Sequence, residues 1–443
     1  MNNDTIFALS SGHGKSGVAV IRISGENLSD FAEKILGRFG IEPRHAYFVN
    51  LCDNAGDPID QCIITYFTAP HSFTGTDVIE IACHGAPAVI EKIFDFLSEN
   101  NMRMATPGEF SRRAFYNNKM DLADIDGLAA LLDAQTDVQR KSALASMMGR
   151  DSKIYDAWRT HMIDIAAYSA AILDYDADDL PENIGKTVIT KTKKLYREID
   201  NALSRYAAAR AVRGGFNIAL VGEPNVGKSS LFNQIVGSNR AIVSDTPGTT
   251  LDVVTATLDI DGYLVNVSDT AGLRKNTKDK IEKIGIERTN AEIKNADLVL
   301  RIISAEQKFP SIGGVAHSAG VVLPKEILVM FKSDLLKTKS NKNAIYVSAK
   351  TGSGLDKLLD VIRTHLHKLT DGAEDSLVIN ARTKSLLESA RDELKNAINI
   401  KNENFDLISE HVRAAADSIG KILGTITASD VMDATFSQLC LGK

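Results

Sequence analysis

The alternation of apolar and polar positions divides the chain into segments of different period. In residues 1–118, short β-branched runs (Val18 to Ile23, Ile63 to Phe67, Val78 to Ala82) alternate with stretches spaced as helices (Asn27 to Leu36, Ala88 to Glu99), and glycine and proline mark the turns. That pattern predicts an α+β domain. In residues 119–212 apolar residues recur at intervals of three and four, as in Leu128, Leu131 and Leu132 or Ile163, Ala166, Ala167 and Ala170, and glycine is sparse. This is helical sequence. The acidic, proline-tipped segment Leu173 to Pro181 reads as a loop between helices, and Arg213-Gly214-Gly215 as a linker.

Beyond the linker, strand-like runs (Asn217 to Val221, Val253 to Ile260, Leu264 to Ser268, Leu298 to Ile303, Ile327 to Phe331, Ala344 to Val347) alternate with helical stretches at 229–236, 282–295 and 354–368. Such alternation predicts a parallel-rich sheet with helices on both faces. Residues 373–443 return to helical spacing, with Leu386, Leu387, Ala390 and Leu394, then Val412, Ala416, Ile419, Ile422 and Leu423. The whole is a multidomain α/β protein, in which an α/β unit at 213–372 is inserted into one helical domain made of 119–212 and 373–443.

Composition changes this picture little. At 443 residues the chain is too long for one hydrophobic core, and a net charge of -6 argues against bulk nucleic-acid binding. Met1 to Ile6 lacks the basic and apolar segments of a signal peptide, and no apolar stretch reaches the ~20 residues of a membrane span, so a cytoplasmic protein without a membrane partner is expected. Cys52, Cys62, Cys83 and Cys440 do not make a disulfide framework. Cys52, Cys62 and Cys83-His84 match none of the usual zinc spacings and read as structural thiols.

The chemistry begins at Gly222-x-x-x-x-Gly227-Lys228-Ser229, between a strand and a helix. Glycines let backbone N–H groups curl around phosphates, and the helix N-terminus adds its dipole. Lys228 reaches the β- and γ-phosphates, while the Ser229 hydroxyl is offered to a magnesium ion. Asp269-Thr270-Ala271-Gly272 follows a later strand, where Asp269 can hold that ion through water and the Gly272 N–H can sense a γ-phosphate. Gly248-Thr249-Thr250 lies between the two, where a threonine hydroxyl completes the magnesium shell. For the base, Ser348-Ala349-Lys350 is intact. The preceding signature reads Phe331-Lys332-Ser333-Asp334: the carboxylate that pairs with guanine N1 and N2 is kept and an asparagine is lost. Guanine is expected, with weakened affinity.

Over essentially its whole length the chain resembles the family of tRNA-modifying GTPases called MnmE or TrmE. The resemblance is carried by Asp4-Thr-Ile, Val20 to Gly25, Ser72 to Gly75, His84-Gly85, Pro107 to Ser111, Lys119 to Leu122, the phosphate loop with Asn225, Gly248 to Thr250, Asp269 to Arg274, Ile284 to Arg288 and Cys440 to Lys443. It implies potassium-stimulated GTP hydrolysis coupled to C5 (carboxymethyl)aminomethyl modification of the wobble uridine of tRNA, with an FAD-containing partner protein. It also implies a homodimerising N-terminal domain that binds a reduced folate (5-formyl- or methylene-tetrahydrofolate) as one-carbon source.

The same resemblance implies the site residues. Nucleotide-binding positions are Asn225, Val226, Gly227, Lys228, Ser229 and Ser230; Ser244, Asp245, Thr246, Pro247, Gly248, Thr249 and Thr250; Asp269, Thr270, Ala271 and Gly272; Lys332 and Asp334; and Ser348, Ala349 and Lys350. Ser229 and Thr250 match the magnesium ligands, and Asn225, Ser244, Thr246 and Thr249 the potassium site, whose charge replaces an arginine finger. From the residues alone Glu282 reads as a helix-start carboxylate favoured by the helix dipole; the resemblance reverses that and matches it to the catalytic glutamate. Arg22, Glu80, Lys119 and Lys443 match the folate site, and Cys440 a catalytic thiol of tRNA modification.

The chain departs from the family pattern at Phe331, at Leu251, where arginine is common, and in the glycine-rich segment Ser304 to Pro324. Two other readings compete: a ribosome-associated or regulatory GTPase, which would not need the N-terminal domain and the Cys440 tail, and a folate-binding scaffold with an impaired nucleotide domain.

Overall fold

The protein is described by a computed structural model that covers residues 4–176, 180–238, 240–241, 254–269, 293–305, 325–336, 343–370, 377, 380–400 and 404–425. It divides into two compact units. The first comprises 1–129, 146–196 and 389–443, the second 130–145 and 197–388.

In the first unit a six-stranded sheet is built from β1 (Ile6–Leu9), β2 (Ser16–Gly25), β3 (Ala46–Cys52), β4 (Pro58–Phe67), β5 (Asp77–Gly85) and β6 (Arg103–Met104), in the order β3-β4-β5-β2-β1-β6. All neighbours are antiparallel except β1 and β6. The period of two decides what each face carries. Phe7, Leu9, Ile21, Ile23, Ile64, Ile79 and Ile81 form one core with α1 (Ser29–Leu36) and α2 (Pro87–Glu99), while Ile6 and Ala8 pack with Ala105 and Phe110. Phe110 lies on α3 (Glu109–Tyr116), which is followed by α4 (Leu122–Leu132) and α5 (Asp137–Met147).

The helical part of this unit is dominated by α6 (Arg150–Asp174), which packs along α12 (Phe405–Leu423); Ser409 Oγ meets the Ala166 carbonyl at 3.4 Å. The buried face of α6 is Tyr155, Trp158, Met162, Ile165, Ala166 and Ser169. The expected stripe is therefore corrected: Ile163 is 47% exposed, and Ala167 also faces outward. Helices α7 (Ile184–Ser204) and α11 (Ala381–Asn399) have residues in both units, and α8 (Tyr206–Gly214), α9 (Lys228–Ser238) and α10 (Leu355–Thr370) belong to the second.

The second unit holds a seven-stranded sheet of β7 (Phe216–Val221), β8 (Arg240–Ala241), β9 (Val254–Ile260), β10 (Tyr263–Asp269), β11 (Leu298–Ser304), β12 (Lys325–Phe331) and β13 (Ala344–Val347). Its order is β13-β12-β11-β7-β10-β9-β8. The strands from β13 to β10 are parallel, and β9 and β8 finish one edge antiparallel. Both faces of β7 are covered: Ile218 and Leu220 join Leu231, Ile235, Leu358 and Ile362 of α9 and α10, and Ala219 packs with Ala296 and Val299 on the opposite face. A strand buried on both sides must be apolar throughout, which is why its sequence shows no alternation.

The expected linker at Arg213 to Gly215 is the end of α8 instead. Val212 is buried in the core beside β7, and Gly215, at φ +88°, passes the chain directly into that strand.

Candidate functional site

Strand β7 stands where the strand order reverses, with β10 on one side and β11 on the other. In an open parallel sheet this point leaves a crevice at the carboxyl ends of the strands. The loop 222–227 fills that edge and leads into α9. Two glycines are required there by close approach. A Cβ at Gly222 would strike the Ile302 carbonyl of β11, and one at Gly227, whose φ is +102°, would fall on the edge of the Phe331 ring. Asn225 sits at φ 63°, a left-handed conformation that asparagine tolerates, and Val226, 2% exposed, anchors the loop in the core.

The first helical bond of α9 runs from the Leu231 N–H to the Gly227 carbonyl at 2.9 Å. The preceding N–H groups are left to face a ligand, as at any helix start. Lys228 is buried, and its Nζ donates to the carbonyls of Gly222 and Glu223 at 2.7 and 2.8 Å. Those bonds curl the ammonium over the loop. One residue on, the Ser229 hydroxyl donates to Asp269 Oδ2 at 2.7 Å, with Asp269 buried at the end of β10. A hydroxyl and a carboxylate meeting beside a phosphate loop are hard oxygen donors, the kind that Mg2+ takes.

The residues expected to recognise the base converge on the same edge of the sheet. Asp334 follows β12, and Ser348 follows β13; the Ser348 hydroxyl donates to Asp334 Oδ1 at 2.6 Å and holds that carboxyl below its usual range. Lys332 adopts a left-handed conformation at φ 59°, which turns the chain sharply between Phe331 and Asp334. Gln234 of α9 donates through Nε2 to the Ala349 carbonyl at 3.0 Å, tying the Ser348–Lys350 loop to the helix that begins at the phosphate loop. Sequence reasoning missed Gln234. A side chain that serves only to brace a backbone carbonyl leaves no motif.

Ser244, Asp245, Thr246, Pro247, Gly248, Thr249, Thr250, Thr270, Ala271, Gly272, Glu282, Cys440 and Lys443 lie outside the described residues. Of the folate candidates, Arg22 and Glu80 are cross-strand partners on β2 and β5. Arg22 Nε and Nη2 both donate to Glu80 Oε1, at 2.9 and 2.8 Å. The guanidinium lies 5.0 Å from the centre of the Phe73 ring and 5.9 Å from that of Phe110. These two aromatic rings were also missed, although Arg22 between Ile21 and Ile23 signals a polar residue on the face away from the core. Lys119 is exposed, and its side chain lies over Gly75.

Two of the three thiols expected to be buried are so, and Cys52 is only half-buried. Cys62 and Cys83 are buried, and burial pushes their pKa up to about 12 and about 11. Among the described residues no cluster of His, Cys, Asp and Glu could hold a metal ion. No helix among them is long and apolar enough to cross a membrane.

Residues 5–119 match the family described as the GTP-binding protein TrmE N-terminus, and residues 122–440 match the MnmE helical domain. The tRNA modification GTPase MnmE of Brucella canis is 39% identical over 443 residues, covering 100% of this chain and 98% of that protein. The protein of the same name from Brucella anthropi is 39% identical over 442 residues, covering 99% of this chain and 98% of its own. Among solved structures, the G domain of the T. maritima FeoB iron transporter is 24% identical and covers 35% of this chain and 99% of its own, with a TM-score of 0.24.

Proposed function

The chain belongs to the MnmE family of tRNA modification GTPases, and on that premise we propose that it couples potassium-stimulated hydrolysis of GTP to C5 modification of the tRNA wobble uridine. It works as a homodimer in the cytoplasm with an FAD-containing partner, and a reduced folate held by the N-terminal domain supplies the one-carbon unit. Residues 1–118 are that domain, and 119–212 with 373–443 form the helical domain into which the nucleotide domain, 213–372, is inserted. The observation that carries the reading is the convergence of Lys228, Ser229 and Asp269 at the carboxyl ends of β7 and β10.

The chemistry follows from those residues. Backbone N–H groups of the phosphate loop and of the first turn of α9 bind the polyphosphate, and Lys228 turns its ammonium from the loop carbonyls to the β- and γ-oxygens. Ser229 and Thr250 would hold magnesium, with Asp269 acting through water, and the ion would supply positive charge to the phosphates. Glu282 orients and deprotonates the attacking water. Asn225, Ser244, Thr246 and Thr249 would hold potassium, whose charge would take the place of an arginine finger. In the N-terminal domain Glu80 would take the donor groups of a pterin, and Arg22, Lys119 and Lys443 would balance its glutamate tail.

The monovalent ion tests the reading. With GTP saturating, hydrolysis in potassium should exceed that in sodium by about ten-fold or more, because a missing positive charge at the transition state costs at least that much. A cage sized for potassium holds the smaller sodium ion poorly. Equal rates in the two salts would remove potassium from the mechanism.

A separate result is expected for the tail. Cys440→Ser should abolish wobble-uridine modification in cells while the purified protein keeps its GTPase rate, since hydrolysis draws only on the nucleotide domain. Mass spectrometry of the tRNA nucleosides decides the matter. Normal modification in the variant makes Cys440 a spectator.

A further inference from the structure

The end of β12 carries an aromatic residue where the guanine-binding signature has an amide, and the structure defines what that ring does. Ile327, Val329 and Phe331 alternate onto the face of the sheet covered by α9 and α10. Phe331 is 2% exposed and paired in register with Ser304 of β11 and Val347 of β13. Its ring edge occupies the space that any side chain at Gly227 would need, so the ring is packed directly against the phosphate loop.

A base bound here is constrained from two directions. Its N1 and N2 donors meet Asp334, and the ribose at N9 leads to the phosphates at α9. The O6 acceptor next to N1 then turns toward the Ser348–Lys350 loop, whose Ser348 hydroxyl already holds Asp334. N7 is the next acceptor along that edge, and in this placement it would lie toward the end of β12. An amide at position 331 would present an N–H to it. A phenyl ring has no donor to present.

We propose that Phe331 makes the base site of this chain indifferent to the purine N7, so that Asp334 carries the selection of guanine without help from that edge. The inference rests on the GTP reading of the site. It gives the sign of an effect: an acceptor that meets no donor on binding gains nothing over a C–H in its place and loses any water it gives up.

Calorimetry on the full chain with GDP and with 7-deaza-GDP, in which N7 is replaced by C–H, tests it. The wild type should bind 7-deaza-GDP at least as tightly as GDP. Phe331→Asn should bind GDP more tightly than wild type and 7-deaza-GDP about ten-fold more weakly than GDP, the size of one buried hydrogen bond. Phe331→Leu, apolar and without a donor, should keep the wild-type ratio and guards against a folding defect in the asparagine variant. If the wild type binds 7-deaza-GDP more than about three-fold more weakly than GDP, another donor reaches N7 and the inference falls while the nucleotide site stands. If a folded wild type binds neither, the nucleotide reading falls and takes the inference with it.

Discussion

Glu282→Ala is expected to lower the rate of GTP hydrolysis by about 10²–10⁴-fold, the range that a positioned acid or base contributes, and to leave nucleotide affinity within a few-fold. A carboxylate that orients and deprotonates water acts when the water attacks, so its loss falls on kcat and spares the ground-state complex. In the proposed mechanism affinity is held elsewhere, by the phosphate loop, Lys228 and Asp334, none of which the substitution replaces. Single-turnover hydrolysis and GDP calorimetry on the same preparation separate the two quantities. An unchanged kcat would return Glu282 to the role of a charge placed at a helix start.

The second large effect concerns which base is bound. Asp334→Asn should weaken GTP by about a hundred-fold or more and transfer activity to xanthosine triphosphate, because a site built on hydrogen bonds rejects a partner whose donors and acceptors are reversed. Asp334 offers two acceptors, suited to the N1 and N2 donors of guanine. Ser348 donates to that carboxylate and holds it below the usual range. Asparagine offers one acceptor and one donor, and xanthine places a carbonyl where guanine has its amino group. The Ser348 hydroxyl can still donate to Oδ1 of the new side chain, so the loop is expected to survive. Competition between the two nucleotides gives the answer. An equal loss for both would mean that Asp334 serves the loop, through Ser348, and not the base.

The two predictions draw on residues of different legibility. The phosphate loop could be read from sequence because its chemistry is backbone chemistry: glycine spacing, a preceding apolar strand and a following helix are all local. Most strands of the nucleotide unit could be read for a similar reason, since burial on both faces leaves an uninterrupted apolar run. β3 could not, because Ala46, Phe48 and Asn50 face outward at the sheet edge, and β6 and β8 are only two residues long. On α6, spacing at three and four fits two overlapping stripes, and the bulk of Tyr155 and Trp158 decides between them. Contacts fixed by register were out of reach. Arg22 meets Glu80 across 58 residues, and Phe331 meets Gly227, only because particular strands lie side by side.

The pairing of α6 with α12 bears on how the chain is made. Ser409 meets Ala166 across 243 residues, so at about 5–20 residues per second a ribosome takes roughly 10–50 s to deliver the partner that α6 requires. Throughout that interval the face formed by Trp158, Met162 and Ile165 lacks its cover, and the nucleotide unit emerges in the meantime. Once that unit has folded, a compact body stands in place of a long flexible loop, and the entropic cost of bringing the two helices together falls. The insertion therefore imposes an order on synthesis: the GTP-binding body matures first, and the helical pair that frames it in sequence is the last joint to close.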